Sequence, residues 1–172
     1  MQSLLTLGFL TTLASCASMG SKDPLAFQPY EMDAEARTAL FEAVAELEGD
    51  WSTEDGSISR FEITSNGTVI KETLFPGQPH EMTNMYTLDG NGLAMTHYCS
   101  MGNQPHMRAT AIDGNKIVFS PTGVSDRGSA DELFMASMTL TKIDEHTLDI
   151  EWTSYQGNQP GEVMTFHHKR ID

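Results

Sequence analysis

The chain has 172 residues, a length that suits one domain, and it is acidic, with 24 Asp and Glu against 10 Lys and Arg. That balance speaks against nucleic acid and anionic membrane faces as partners, because phosphate contact needs clustered basic residues. Methionine is frequent, at 11 residues, and flexible thioethers suit an adaptable apolar pocket as well as an ordinary core.

Residues 1–20, "MQSLLTLGFLTTLASCASMG", are apolar and uncharged, too short to span a bilayer, and read as a secretory signal. The signal is taken as residues 1–16, ending in Leu13-Ala14-Ser15-Cys16. That tetrad resembles the lipobox of bacterial lipoproteins. The resemblance implies a lipid on Cys16, which anchors the protein to a membrane in the bacterial cell envelope, facing the periplasm or the exterior. The alternative is a secreted or periplasmic soluble protein. With Cys16 lipidated, Cys99 is the one thiol left, an internal disulfide is impossible, and Cys99 is expected to be buried. Residues 17–32, with Ser, Gly, Lys, Asp and two Pro, read as a flexible tether.

Residues 33–172 read as one domain. Ala36, Leu40, Val44 and Leu47 recur at helical spacing, Asp33 can cap the first turn, and Gly49 can end the helix. The expectation is an amphipathic helix over 33–48, of roughly four turns. From Gly49 onward the sequence changes to short alternating runs separated by turn signals. "SNGT" at 65–68, "LDGNG" at 88–92 and "IDGNK" at 112–116 are strong hairpin turns, and "IDEHT" at 143–147 is a weaker one. Between them we place about ten strands, near 50–54, 57–64, 68–75, 81–88, 92–100, 106–112, 116–120, 133–142, 147–155 and 161–170.

Every connection is short except 121–132, and none holds a crossover helix. The strands should therefore pair antiparallel in an up-and-down meander, which favours a closed barrel, all-β, over 49–172, with the helix closing one end. Alternate connections of a meander fall on opposite rims. One rim receives the tight turns. The other receives 54–56, 76–79, 102–105, the long 121–132 loop and 157–160, so that three loops containing Gln-Pro gather there. The first and last strands meet at the tight rim, which puts Trp51 beside Arg170.

Gly49-Asp50-Trp51 opening the first strand, with a basic residue closing the last, resembles the calycin superfamily of lipocalins, fatty-acid-binding proteins and nitrobindin-like haem barrels. The resemblance covers about 47–172, and its ten strands look more like the fatty-acid-binding and nitrobindin branches. It implies a structural closed end in which the Trp51 ring packs under Arg170 or Lys169. It also implies a small ligand inside the barrel. For haem it points to a His near the C-terminus, with His168 the best match and His167 second. Positions 53 and 55 are Thr and Asp, so the longer glycine pattern of nitrobindins is absent.

Within the strand at 92–100, Leu93, Met95, His97 and Cys99 share the more apolar face and should look inward. His97 is either a core histidine satisfied by a neighbour or a polar anchor for a ligand. A metal is a further alternative at His97 or His168. On ligand type, His97, Cys99, Met95, Met101, His106 and Met107 could bind copper(I), provided they converge. Leu148, Ile150 and Trp152 alternate with polar residues and should line the interior. The amides Gln78, Asn103, Gln104, Asn158 and Gln159 either brace their loops or ring the cavity mouth and bond a ligand's polar head. His80 with Glu81 is the single acid–base pair of note, and no nucleophile elbow, phosphate loop or zinc spacing occurs.

These residues point to non-catalytic binding of a small apolar or amphipathic molecule, with no cofactor expected. Haem or metal chemistry, redox or isomerase in type, is one alternative. A structural envelope lipoprotein with a filled core is another.

Overall fold

The computed structural model describes residues 33–171. The signal, Cys16 and the tether lie outside them. Asp33 caps helix α1 (Ala34–Ala45), its Oδ1 accepting the Ala36 amide at 2.9 Å. The helix is 12 residues, three turns rather than four. Its last turn gives way at Glu46, and Leu47 is buried beyond the helix end. Gly49 is not a helix cap; it opens β1 (Gly49–Ser52). Its φ of +122° suits glycine alone, and a Cβ there would stand 3.2 Å from the Arg170 guanidinium.

Ten further strands follow: β2 (Ile58–Thr64), β3 (Val69–Leu74), β4 (Met82–Asp89), β5 (Gly92–Tyr98), β6 (Gln104–Ala109), β7 (Ile112–Asp113), β8 (Lys116–Ser125), β9 (Leu133–Lys142), β10 (Thr147–Gln156) and β11 (Gln159–Arg170). Each pairs antiparallel with its neighbour in sequence, except that β6 and β7 run on into one another and both pair with β8. The β1–β11 ladder completes the ring. With β6 and β7 taken as one interrupted strand, the molecule is a closed, ten-stranded antiparallel barrel.

Three of the expected loops differ from the sequence reading through proline. The stretch 121–132 is not one long loop, because β8 continues to Ser125 and only 126–132 lies outside strands. Pro121 is accommodated opposite Met107, where the ladder register shifts. Neither Gly-Asn-Gln-Pro segment is a four-residue loop. Gly157 and Asn158 form a two-residue turn between Gln156 and Gln159, and Gln159-Pro160 already belongs to β11. Likewise Gln104-Pro105 opens β6 after a turn over Cys99–Asn103. A proline at the start of a strand forfeits no ladder bond that the chain needs.

The core fills the helix end of the barrel. Leu40, Val44 and Leu47 pack on Trp51, Phe61, Tyr86 and Leu148, all essentially without solvent contact. The Arg170 guanidinium lies 4.3 Å over the Trp51 ring. It also donates to the Glu48, Glu46 and Glu145 carbonyls at 2.7, 2.9 and 3.1 Å, while Trp51 Nε1 donates to Leu47 O at 2.8 Å. One side chain thus bonds carbonyls of the segment after α1 and of the β9–β10 turn.

Candidate functional site

The far end is closed less completely. β1 has four residues and β11 has twelve, and the β1–β11 ladder ends at Ser52 opposite Lys169. Beyond that pair β11 runs on without β1 beside it, and a cavity of about 140 Å³ occupies the gap. Thr53, Ser57 and Ile58 form one wall, and Met164, Phe166 and His168 of β11 form the other. Trp152, Met135 and His97 line the interior side. A shallower depression shares Ser57, Ile58 and Phe75 with the cavity and adds Asp55, Gln78 and His80. Phe75, at the boundary between the two, has a positive φ of 55° and packs its ring 4.7 Å from that of His80.

Behind His97 stands a polar row set by strand register. Glu72 of β3 lies opposite Asn84 of β4, and Asn84 lies opposite His97 of β5. Because facing residues of a sheet point to the same side, all three enter the barrel together. Asn84 Nδ2 donates to Glu72 Oε2 at 2.6 Å, and Tyr86 Oη donates to the same oxygen at 2.6 Å. His97 Nδ1 lies 2.7 Å from Asn84 Oδ1.

Burial pushes the Glu72 carboxyl above the usual carboxylate range, against the pull of the Tyr86 and Asn84 hydrogen bonds. Burial, together with the neighbouring Glu72 charge, raises the Tyr86 hydroxyl as well. Burial brings His97 down to about 4, so its imidazole is neutral at physiological pH. His97 Nε2 is buried without a partner, and its ring packs 4.9 Å from that of Trp152. Burial also lowers His168, whose Nδ1 lies 3.2 Å from the Phe166 carbonyl.

The structure brings together only some of the residues that the sequence singled out. His97, Trp152 and His168 line the cavity, and Gln78 lies in the adjoining depression. Met95 and Met107 face one another across β5 and β6, fully buried in the core and away from the cavity. Cys99 is half-buried in the turn after β5, where its amide bonds the Asn103 carbonyl.

The amides do not form a ring around the cavity. Asn103 is buried, and its Nδ2 holds Glu132 Oε1 at 2.7 Å and the Leu133 carbonyl at 3.2 Å. Gln104 donates to the Gly102 carbonyl at 2.6 Å, and Asn158 and Gln159 are exposed at the β10–β11 turn. They separate because two of the presumed loops are tight turns running straight into strands.

The soft-metal set does not converge either. Met101 is exposed, and His106 is tied to Thr96 and Ser125 by bonds of 3.0 and 2.8 Å. Among the described residues, no three His, Cys, Asp or Glu side chains are grouped to hold a metal ion.

Sequence reasoning missed Glu72, Asn84 and Tyr86. Their signal was present. Glu72 interrupts the inward alternation of Ile70 and Leu74, and Asn84 interrupts that of Met82 and Tyr86. A charge on an inward position carries a cost unless it is paired, which marks it for attention. No known family model matches the chain, and a search of curated proteins finds none similar to it.

Proposed function

We propose that this protein binds a small, largely apolar molecule in the cavity between β11 and the start of β2, without transforming it. The observation that carries this reading is a largely apolar cavity bordered by His97, whose Nε2 is buried without a partner. The under-zipped β1–β11 seam supplies a route in. The reading places the barrel in the calycin-like group, with a closed end and a ligand end, and as an envelope protein anchored through lipid on Cys16. Nucleic acid has no part in it, since the chain carries a net charge of −14.

A cavity of about 140 Å³ matches the size that holds a single benzene-like ring, around 150 Å³ in an engineered case. A haem macrocycle is several times larger, so the cavity volume favours a small ligand over that cofactor. The test is a native mass spectrum beside a denatured one, on protein purified from a bacterial envelope, with an absorption scan of the same sample. The expected result is an extra mass lost on denaturation and no haem band. A bare protein mass, with no uptake of added small apolar probes, overturns the reading in favour of a structural role. Replacing Cys16 with Ser should release the protein from the membrane fraction if the anchor is lipid.

A further inference from the structure

The polar row fixes which nitrogen of His97 carries the proton. Asn84 Nδ2 donates to Glu72, which leaves the amide oxygen toward His97. An amide oxygen only accepts, so His97 Nδ1 must donate, and Nε2 is left with a bare lone pair. Nε2 lies on the side of the ring away from Asn84, has no partner, and belongs to a residue that is 2% exposed. Glu72, Asn84 and Tyr86 therefore act as positioning residues that hold one acceptor ready.

The rest of the lining narrows what can meet that acceptor. No side chain lining the cavity carries a formal charge. An anionic head would find no Lys or Arg there and would face a lone pair. An ammonium head would lose its hydration without a counter-charge. Asp55 sits in the outer depression, engaged by Thr53 and, at 3.0 Å, by the Ser57 amide, and Glu72 stands behind His97, engaged by Asn84 and Tyr86. Transfer of either ion into such a cavity is heavily penalised, whereas a neutral donor recovers an unmade hydrogen bond. Trp152, Phe166 and the thioethers of Met135 and Met164 supply flat and adaptable apolar walls.

We infer that the ligand's head group is an uncharged hydroxyl, an alcohol or phenol on a small ring-bearing body, whose O–H donates to His97 Nε2. This inference rests on the binding reading above and specifies its chemical class. It also separates this cavity from sites built to hold carboxylates.

The test is calorimetric titration at pH 7 with phenol, toluene, benzoate and benzylamine, on the wild type and on His97→Phe. Phenol should bind the wild type about tenfold more tightly than toluene, the worth of one hydrogen bond to a buried acceptor. Benzoate and benzylamine should give no measurable binding. His97→Phe should bring phenol and toluene to within about threefold of each other, with circular dichroism and urea unfolding as the control for folding. Should the variant fail to fold, the wild-type nitrogen-15 shift of His97 Nε2 decides. It should move toward its hydrogen-bonded value with phenol and stay put with toluene.

Equal affinity for phenol and toluene, a preference that survives His97→Phe, an unmoved nitrogen shift, or tightest binding of benzoate or benzylamine would each overturn the inference and leave the binding reading standing. Failure of all four probes to bind would overturn both.

Discussion

At the helix end, Arg170 caps Trp51 and bonds three backbone carbonyls, and α1 covers what the strands leave open. At the other end the same strands stop short of one another, and a neutral histidine faces a small apolar space. The two ends are built from one sheet, so the difference is one of strand length and interior chemistry. A four-residue β1 can complete only the half of the ring that the helix covers. The helix end thus closes through the bonds of Arg170, while the other end leaves His97 Nε2 without a partner.

The two buried tryptophans sharpen the comparison most. Trp51 is wholly enclosed, whereas Trp152 borders the cavity at 4% exposure. Trp51→Ala should cost about 4–5 kcal/mol in urea unfolding, and Trp152→Ala about 3, because its loss merges with space already present. Equal costs, or the reverse order, would mean that the ends are not differently packed. Arg170→Lys keeps the charge but loses the fork that reaches three carbonyls. We expect a loss of about 2 kcal/mol by the same measurement. A loss below about 0.5 kcal/mol would show that the charge alone closes that end.

The cavity end should reveal itself in pH dependence. The groups that bear on His97 are Glu72 through Asn84, Tyr86 beside Glu72, and His168 in the same cavity. The folded His97 value lies near 4, below the ordinary 6.5. As pH falls through that window, the unfolded chain takes up a proton that the folded one refuses. Wild-type stability should therefore drop between pH 6.5 and 4, by an amount on the order of 3 kcal/mol that His97→Phe removes.

Glu72 has the opposite sign. Its raised folded value means that the folded state holds its proton longer, so stability declines as pH rises above the usual carboxylate range. Glu72→Gln should accordingly gain stability relative to wild type on going from pH 5 to pH 8. A constant difference would show that Glu72 is as ionised folded as unfolded. The smallest effect should come from Asn103→Ala, at about 1 kcal/mol. It should act on the 126–132 loop, through lost contacts to Glu132 and Leu133, and appear as faster amide exchange there.

The barrel itself was legible in the sequence. Period-two alternation and Asn-Gly or Asp-Gly turns are local signals, and a meander follows from short connections without further information. The inward face of β10, with Leu148, Ile150 and Trp152 at or below 4% exposure, could be read residue by residue for the same reason. Local reading misled where proline was taken as a loop marker, at Pro105, Pro121 and Pro160, because the requirement that a strand residue donate depends on what lies beside it.

The site was beyond reach for a related reason. Glu72, Asn84 and His97 are separated by turns and become neighbours only through register, which is set by pairing across three strands. Composition and periodicity alone determined an acidic, all-β meander with a helix before it, since those depend on each residue and its near neighbours. Which end stays open, which histidine nitrogen carries the proton, and which amides merely brace turns were decided by the tertiary structure. Each of these is a property of contacts between residues far apart in the chain.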